Sequence, residues 1–326
     1  MRIVPPGRPG GGTGRGGRPA TATVKAVAAM ALILCLASCA PRARVLYTAS
    51  LNGNLVGCDC WGYPEAGLDK RAYYLAGESV EDGGILLDAG NVLAEGRSPF
   101  LADLILQTYR ELGYAAAAVG VNELAEGADL LALRASGNPG PPLLSHNLVL
   151  DGRRLTTDPL ILPVGSDGPA AVAVIALADP EWFGPHLSRL DGRLTVADPA
   201  AALTESLRRA EAAGASAVIL LAHGREDWIR SLMAASTEAR KPGPPVAAVL
   251  LAGQERLIEE RLPGGIPLLS PGEAGNRLGI LEIRLANRPR WKNEFVEFHY
   301  LGPSDPQVAA RGNEYQDWLD ARRNER

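Results

Sequence analysis

The sequence predicts an α/β protein in which helices cover at least one face of a sheet. Short apolar runs that end in Gly, Asn, Asp or His recur along the chain, and amphipathic stretches with helical spacing separate several of them. Neither an internal repeat nor a linker interrupts this alternation. We therefore treat residues 39–326 as one domain.

The apolar runs predict strands and the amphipathic stretches predict helices. The predicted strands cover residues 45–50, 84–89, 115–119, 143–150, 170–178, 215–222 and 246–252. Two more extended stretches, 155–164 and 279–285, suggest a second sheet. The predicted helices cover residues 68–76, 99–112, 129–135, 199–213 and 227–235. A terminal helix is expected over about 304–322, with Ser304 or Asp305 as its N-cap and Pro306 just inside.

The first 38 residues have the pattern of an export signal. Five basic residues and no acidic one precede a run of twelve apolar residues, 26–37, which is shorter than the roughly 20 that a membrane-spanning helix needs. The segment Leu36-Ala37-Ser38-Cys39 resembles the lipobox of bacterial lipoproteins. This resemblance implies removal of residues 1–38 and lipidation (palmitate included) of Cys39, with the protein anchored on the periplasmic or extracellular face of a membrane in the cell envelope.

Removal of the leader changes the charge of the chain. The whole sequence has a net charge of −4, and the leader holds five of its 33 basic residues and none of its 37 acidic ones, so the mature chain carries −9. Nucleic acid is thus not expected as a partner, because no basic patch of the required kind remains. The expected partners are the membrane, through Cys39, and an unidentified envelope protein or small molecule.

Six segments, each at or after a predicted strand, resemble the motifs of one enzyme family in the family's order. They are LYTASLNGNL (46–55), LLDAGNVLAEG (86–96), LGYAAAAVGVNELAEG (112–127), LLSHNL (143–148), AVILLAHGRED (217–227) and VAAVLLAGQERL (246–257). Through them the mature chain resembles the exported 5'-nucleotidase branch of the calcineurin-like metallophosphoesterases. The resemblance implies a four-layer α/β/β/α sandwich and, in the family, metal-dependent hydrolysis of phosphoesters.

The family's metal ligands do not carry over to this chain. Where the family has ligands or its catalytic histidine, this sequence mostly has other residues; the matching positions are Ser50, Asn52, Asn91, Val121, Asn122, His223, Gln254 and Arg256. Of the family's metal ligands, only the histidine at position 223 is kept, and Glu123 is retained beside the position of the catalytic histidine. Two-metal hydrolysis needs carboxylates and imidazoles to hold the cations. We therefore expect a vacated cleft without a metal cofactor, whereas glycines such as Gly53, Gly90, Gly120, Gly127 and Gly253 persist at the turns.

Two cysteines, Cys58 and Cys60, follow the first strand and should lie beside this cleft. The segment CDCWGYPEAGLDKRA is similar to that of a subset of exported 5'-nucleotidase-like lipoproteins with a Cys or selenocysteine pair at this place. Outside the cytoplasm such a pair tends to oxidise. Residues i and i+2 of an extended segment point the same way, but a disulfide between them closes a small, strained ring that is easily reduced.

Three roles remain open for the cysteine pair: a structural pair, a redox pair, or a metal site completed by His223 and Glu123. Asp59 between the cysteines should discourage thiolate formation unless Lys70 or Arg256 lies near. The sequence thus predicts a lipid-anchored protein that acts by binding or through its thiols. The alternative is an enzyme, either a residual metal-dependent phosphoester (nucleotide) hydrolase or a thiol oxidoreductase.

Overall fold

The computed structural model describes residues 41–60, 63–77, 84–164, 170–238, 243–273, 275–285 and 290–324. The apolar runs form strands because β-branched and leucine side chains pack on both faces of buried sheets. The strands, in chain order, are β1 (Arg42–Thr48), β2 (Cys58–Cys60), β3 (Tyr63–Glu65), β4 (Gly84–Asp88), β5 (Tyr114–Ala118), β6 (Leu143–Leu144), β7 (Leu148–Leu150), β8 (Arg153–Arg154), β9 (Leu160–Pro163), β10 (Ala171–Ala178), β11 (Leu194–Val196), β12 (Ala217–His223), β13 (Val246–Ala252), β14 (Ile258–Arg261), β15 (Pro267–Ser270), β16 (Arg277–Arg284) and β17 (Arg290–Glu297).

The amphipathic stretches form the helices that cover the sheets. They are α1 (Gly67–Gly77), α2 (Pro99–Glu111), α3 (Ala128–Ala135), α4 (Pro180–Phe183), α5 (Pro199–Ala212), α6 (Glu226–Glu238) and α7 (Pro306–Asn324), with 3-10 turns at Asn122–Glu126, Gly184–Leu190 and Pro263–Gly265. Within the described ranges, no helix has the length and apolar character needed to cross a bilayer.

Two six-stranded sheets form the centre of the molecule. The first has the order β17-β16-β1-β4-β5-β6 and the second the order β14-β15-β13-β12-β10-β9. Four neighbouring strands in each sheet run parallel, whereas β16, β17, β9 and β14 run antiparallel to their neighbours. Parallel strands bring their carboxyl ends to one edge of a sheet, which is where α/β proteins place ligand sites.

Three hydrophobic cores separate the layers. Side chains from both sheets, such as Tyr47 and Leu250, share one core. Leu46 and Ile105 belong to a second core between the first sheet and its helices, and the third core joins the second sheet to α5 and α6. The predicted four-layer α/β/β/α arrangement is therefore confirmed. The described residues of all three cores lie between residues 43 and 308, inside the compact unit formed by residues 41–326.

One predicted strand, 143–150, is wrong in its continuity. The structure breaks it into β6 and β7 because the intervening residues bond to β10 instead of to the first sheet. Asn147 accepts a hydrogen bond from the Ala178 amide (2.8 Å) and donates one to the Ala178 carbonyl (2.7 Å). The His146 amide donates to the carbonyl of Ala176. This short connection ties the edges of the two sheets together.

The terminal helix begins as predicted. The Asp305 carboxylate accepts hydrogen bonds from the amides of Gln307 and Val308, both at 3.0 Å, so Asp305 is the N-cap and Pro306 is the first helical residue. The helix packs along the loop that carries the cysteines: a Cβ on Gly312 would lie 2.2 Å from Val56 Cγ2. The C-terminal helix therefore covers one side of the candidate site.

Candidate functional site

The loops that follow the first strands of sheet one are held in an uncommon backbone conformation. Ser50, Asn52 and Asn91 have φ angles of 51°, 54° and 57°. A non-glycine residue at positive φ is uncommon, and such residues cluster at functional sites, where the surrounding structure holds them in place. The conformation marks the carboxyl ends of β1 and β4 as the candidate site.

Amide side chains link these loops to one another. Asn91 Oδ1 accepts a hydrogen bond from the Asn122 amide at 3.1 Å. Asn122 Nδ2 donates to Asn52 Oδ1 and to the Leu93 carbonyl, also at 3.1 Å. The backbone amide of Asn52 donates in turn to the Asn91 carbonyl. Three of the predicted cleft residues therefore form one connected network.

His223, at the end of β12 in the second sheet, faces the same loops. A Cβ on Gly90 would lie 2.9 Å from His223 Nδ1, and one on Gly120 would lie 2.8 Å from Cε1. A Cβ on Gly253 would lie 3.6 Å from Nε2. Gly90 and Gly120 are therefore needed for space around the imidazole, whereas a Cβ on Gly253 would make only an ordinary contact with it. The persistence of Gly90 and Gly120, noted in the sequence, has its physical reason here.

The imidazole of His223 is fully buried, and among the described residues neither nitrogen has a partner with good hydrogen-bond geometry, although the Ala89 backbone is close enough to raise the pKa. Burial lowers the pKa of His223 to about 4, so the ring is neutral at physiological pH. The edge of the Phe183 ring contacts it at a centroid distance of 5.6 Å. Ser50 Oγ is also buried and unbonded. Unsatisfied buried groups are rare, and each calls for an explanation.

Glu123 has a structural position. Its two carboxylate oxygens accept hydrogen bonds from the Leu93 amide (2.9 Å) and the Gly120 amide (2.6 Å). Burial raises the pKa of Glu123 to about 7, and these two bonds oppose the shift. The carboxylate therefore fastens the loop after β5 to the loop after β4. Both of its oxygens therefore already accept hydrogen bonds from backbone amides.

A buried charge cluster beneath the site was missed by the sequence reasoning. Asp88 accepts hydrogen bonds from the Gly90 amide (2.8 Å), Thr48 Oγ1 (2.6 Å) and the Tyr109 hydroxyl (3.0 Å). Arg71 lies 4.0 Å from Asp88 and donates to the hydroxyls of Tyr109 and Tyr114. Asp88 thereby fixes the turn that presents Gly90 to His223. The signal was present in the second motif, where an aspartate directly ends the strand.

Gln254 and Arg256 have other partners. Gln254 Nε2 donates to the carbonyls of Gly224 (2.7 Å) and Gly253 (3.0 Å), which places it beside the turn next to His223. The Arg256 guanidinium is 58% exposed and pairs with Glu226 at 2.5 Å and Glu260 at 3.5 Å. The charge of Arg256, which we considered as a possible neighbour of the thiols, is therefore largely balanced by two carboxylates.

The cysteines lie on a short β-hairpin, β2–β3, in which Cys58 is opposite Glu65 and Cys60 opposite Tyr63. Cys58 is half-buried and disulfide-bonded. The side chain of Cys60 and all of Cys39 lie outside the described residues. Asp59 is exposed between the two cysteines.

The base of the hairpin is tied to α1 and α7. The Gly57 amide donates to Asp69 Oδ1 at 3.0 Å, and the other oxygen of Asp69 accepts from Lys70 Nζ at 2.8 Å. The Asp305 amide donates to the Asp69 carbonyl. The charge of Lys70, which we considered as a possible activator of the thiols, is therefore matched by Asp69.

Cys58 lines a groove between its own loop and the terminal helix. The groove has a volume of about 320 Å³. Its walls are residues 53–58, Leu101 and four residues of α7: Gly312, Asn313, Tyr315 and Gln316. Most of the α7 side chains are polar, so a small polar molecule or a peptide segment could reach the disulfide from this side.

In the part of the chain that the structure describes, no three His, Cys, Asp or Glu side chains lie close enough together to hold a metal ion. The described residues close to His223 are Gly90, Gly120, Gly253 and Phe183, and the buried Asp179 carboxylate is near enough to oppose the lowering of the His223 pKa. His146 lies in the buried connection between β6 and β7, and its Nδ1 accepts a hydrogen bond from the Ala176 amide at 3.1 Å.

No known family profile and no curated protein sequence matches this chain. Solved structures do. The calcineurin-like phosphoesterase YfkN of Bacillus subtilis matches with a TM-score of 0.65 at 20% identity, over 87% of this chain and 99% of the other. A 5'-nucleotidase precursor of Thermus thermophilus matches with a TM-score of 0.66 at 19% identity over 86% of this chain. The Thermus thermophilus sulfate thiohydrolase SoxB matches with a TM-score of 0.66 at 18% identity over 84% of this chain.

The chain spans 59% of the length of the nucleotidase and 61% of that of SoxB. The likeness covers 84–87% of this chain, at identities that establish fold and no more. It agrees with the six motifs at the strand ends. The protein therefore has the calcineurin-like metallophosphoesterase fold.

Proposed function

We propose that this protein is an exported, lipid-anchored protein of metallophosphoesterase fold that does not hydrolyse phosphoesters and that acts through the disulfide of its β2–β3 hairpin. The main support is the pairing of two features at one edge of the fold. Neutral amides occupy the positions where the family has metal ligands, and a disulfide-bonded Cys58 lines an open groove nearby.

The amide network argues against a dinuclear metal centre. Divalent cations need negative ligand charge to offset their dehydration, and Ser50, Asn52, Asn91 and Gln254 carry none. The Asn side chains already bond to one another, and Gln254 bonds to two carbonyls. The residues present therefore do not fit two metal ions, and we derive no hydrolytic step through them.

The cysteines that remain in the proposed mature chain limit the possible disulfide partners of Cys58. The sequence has four cysteines: Cys35, Cys39, Cys58 and Cys60. If the leader is removed and Cys39 is lipidated, Cys60 is the only partner left for Cys58 within the chain. A disulfide between residues i and i+2 in a partly exposed hairpin should exchange readily with thiols.

The proposed reaction is reversible thiol–disulfide exchange. A substrate thiolate attacks one sulfur of the Cys58–Cys60 disulfide, the sulfur–sulfur bond breaks, and the other cysteine leaves as a thiolate that takes up a proton. A second substrate thiol then displaces the protein from the mixed disulfide. Two thiols are oxidised to one disulfide, and the protein pair gains the two electrons.

The test is a free-thiol and redox measurement on the native protein. The chain is equilibrated in buffers of graded thiol–disulfide potential, alkylated, and weighed by mass spectrometry. We expect two alkylation events that appear together at a potential above about −300 mV, where inert structural disulfides stay oxidised. Asp59→Asn should lower the thiol pKa and speed alkylation of the reduced form, because an adjacent anion is removed. Cysteines that resist both reduction and alkylation until the protein unfolds would overturn the redox proposal.

One observation favours a second candidate, a residual hydrolase with a single metal. Among the described residues neither nitrogen of His223 has a partner with good hydrogen-bond geometry, and its neutral ring is able to ligate a metal. Glu123, the other expected ligand, would first have to release two backbone amides. Metal analysis after incubation with Mn²⁺ or Zn²⁺, together with a model phosphoester assay, separates the two functions. One metal per chain, with hydrolysis abolished by His223→Ala, would establish the hydrolase; our proposal expects neither.

A further inference from the structure

Three arginines lie side by side at the edge of the first sheet where β1 begins. Arg42 pairs in register with Arg284 of β16, and Arg284 pairs with Arg290 of β17. We call these three residues the arginine row. Like charges placed directly opposite one another destabilise a sheet, so the arrangement does not serve stability.

The arginine row points away from the core between the two sheets. Ala43 and Val45 belong to that core, whereas Leu46 packs in the core on the helical side. Because side chains alternate along a strand, Arg42 shares the outer face with Leu46. Cross-strand partners share a face, so the other two arginines lie there too. Arg42 and Arg290 are exposed and Arg284 is half-buried.

The three guanidinium groups have no carboxylate within ion-pair distance among the described residues. The three arginines therefore form a positive cluster on the outer face of β1, β16 and β17 at this edge.

The arginine row begins shortly after the proposed anchor in the sequence. The Leu285 amide donates a hydrogen bond to the carbonyl of Pro41 at 2.9 Å, which fixes the start of the described chain to this edge. Cys39 precedes Arg42 by three residues, and three residues span at most about 11 Å. A lipid attached to Cys39 would thus hold the row within reach of the membrane surface.

We propose that the arginine row binds the anionic phospholipid headgroups of the membrane in which the Cys39 lipid is inserted. This inference rests on the lipidation stated in the proposed function. It also orients the molecule. The site lies at the carboxyl end of β1, seven residues or about 23 Å from the row, so the His223 cluster and the cysteine hairpin face away from the membrane.

The arginine row is positive, whereas the mature chain as a whole is negative. The mature chain carries a net charge of −9, so an anionic membrane repels most of its surface. Basic residues near an anionic membrane each contribute about a fivefold gain in partitioning, so three should contribute about 100-fold. The row therefore supplies a preferred orientation that a single flexible lipid tether does not.

The test uses the mature chain, residues 39–326, with Cys39→Ser so that no lipid contributes. This chain contains the described residues of all three hydrophobic cores. Sedimentation compares vesicles of phosphatidylcholine alone with vesicles that contain 30 mol % phosphatidylglycerol, at low and high salt. We expect partitioning into the anionic vesicles only, weakened by salt. The triple variant Arg42→Gln, Arg284→Gln, Arg290→Gln should reduce it about 100-fold.

A matched control removes the same charge elsewhere: Arg153→Gln, Arg277→Gln and Arg323→Gln. Arg277 lies on β16 as well, seven residues from Arg284, at the end nearer the site. The control should keep most of the binding, and circular dichroism checks that both variants are folded. Equal loss in both variants, or equal partitioning of the parent into neutral and anionic vesicles, would overturn the proposal. Because no lipid is attached, failure here leaves the separate question of Cys39 processing unaffected.

Discussion

The buried histidines predict how the stability of this protein depends on pH. Burial lowers the pKa of both His223 and His146 to about 4, whereas an unfolded histidine titrates near 6.5. Between these values the unfolded chain binds protons that the folded chain does not, so the free energy of unfolding falls as the pH falls from 6.5 to 4. Each shift of about 2.5 units corresponds to about 3 kcal/mol at pH 4 and below.

Glu123 has the opposite effect in an overlapping window. Burial raises the pKa of Glu123 to about 7, above its unfolded value of 4.5, so the folded state binds the extra proton. Its contribution is complete below pH 4.5 and is lost as the pH rises to 7, again by about 3 kcal/mol. Together, these three groups should therefore lower the free energy of unfolding by a net of about 3 kcal/mol between pH 7 and pH 4.

Substitutions separate the two effects. In His223→Gln the loss between pH 7 and pH 4 should shrink by about 3 kcal/mol, because one neutral buried imidazole is gone. In Glu123→Gln the loss should grow by a similar amount. Urea unfolding at fixed ionic strength and several pH values measures both. His299→Gln is the control, since that histidine is exposed. If the free energy of unfolding fell by the same amount between pH 7 and pH 4 in His223→Gln as in the wild type, the burial argument would be refuted.

Three further predictions concern the anchor, the charge cluster and the turns. Cys39→Ala should release the protein from membranes or leave it unprocessed, and unchanged fractionation and mass would contradict lipidation. Asp88→Asn should lower the free energy of unfolding by about 3–5 kcal/mol, because it leaves the Arg71 charge buried without its counterion; urea titration measures this. Gly120→Ala should cost about 1–3 kcal/mol because its Cβ would lie 2.3 Å from a site oxygen, whereas Gly96→Ala, with open space around it, should cost little; equal costs would contradict the packing argument.

Much of the fold could be predicted because its parallel strands are continuous apolar runs. The run 246–252 matches β13 residue for residue, and the helix expected over 199–213 differs from α5 by one residue. The strand β17 could not be predicted in this way. Its alternating, largely polar sequence, RWKNEFVE, packs on only part of one face, so it lacks the apolar signal.

The site was predictable in its members more than in its contacts. The motif order led to Asn52, Asn91, Asn122 and His223, and the structure brings these together through hydrogen bonds and close glycine contacts. The motif order did not reveal that Arg256 pairs with Glu226. That contact depends on the direction of two side chains, one in the loop after β13 and the other at the start of α6. Pairings between segments far apart in sequence leave no local pattern.

Hydrogen bonds from backbone amides to buried side chains hold the loops at the strand ends. Asp88 bonds to the Gly90 amide and Glu123 to the amides of Leu93 and Gly120, so two buried carboxylates fix the loop backbones directly. Such bonds from charged groups to backbone amides are each worth about 1.5–3 kcal/mol, which is enough to hold residues at positive φ. The turns therefore have supports of their own among the described residues. The cysteine hairpin beside them is tied through Asp69 to both α1 and α7, and our proposal places the exchange chemistry at its disulfide.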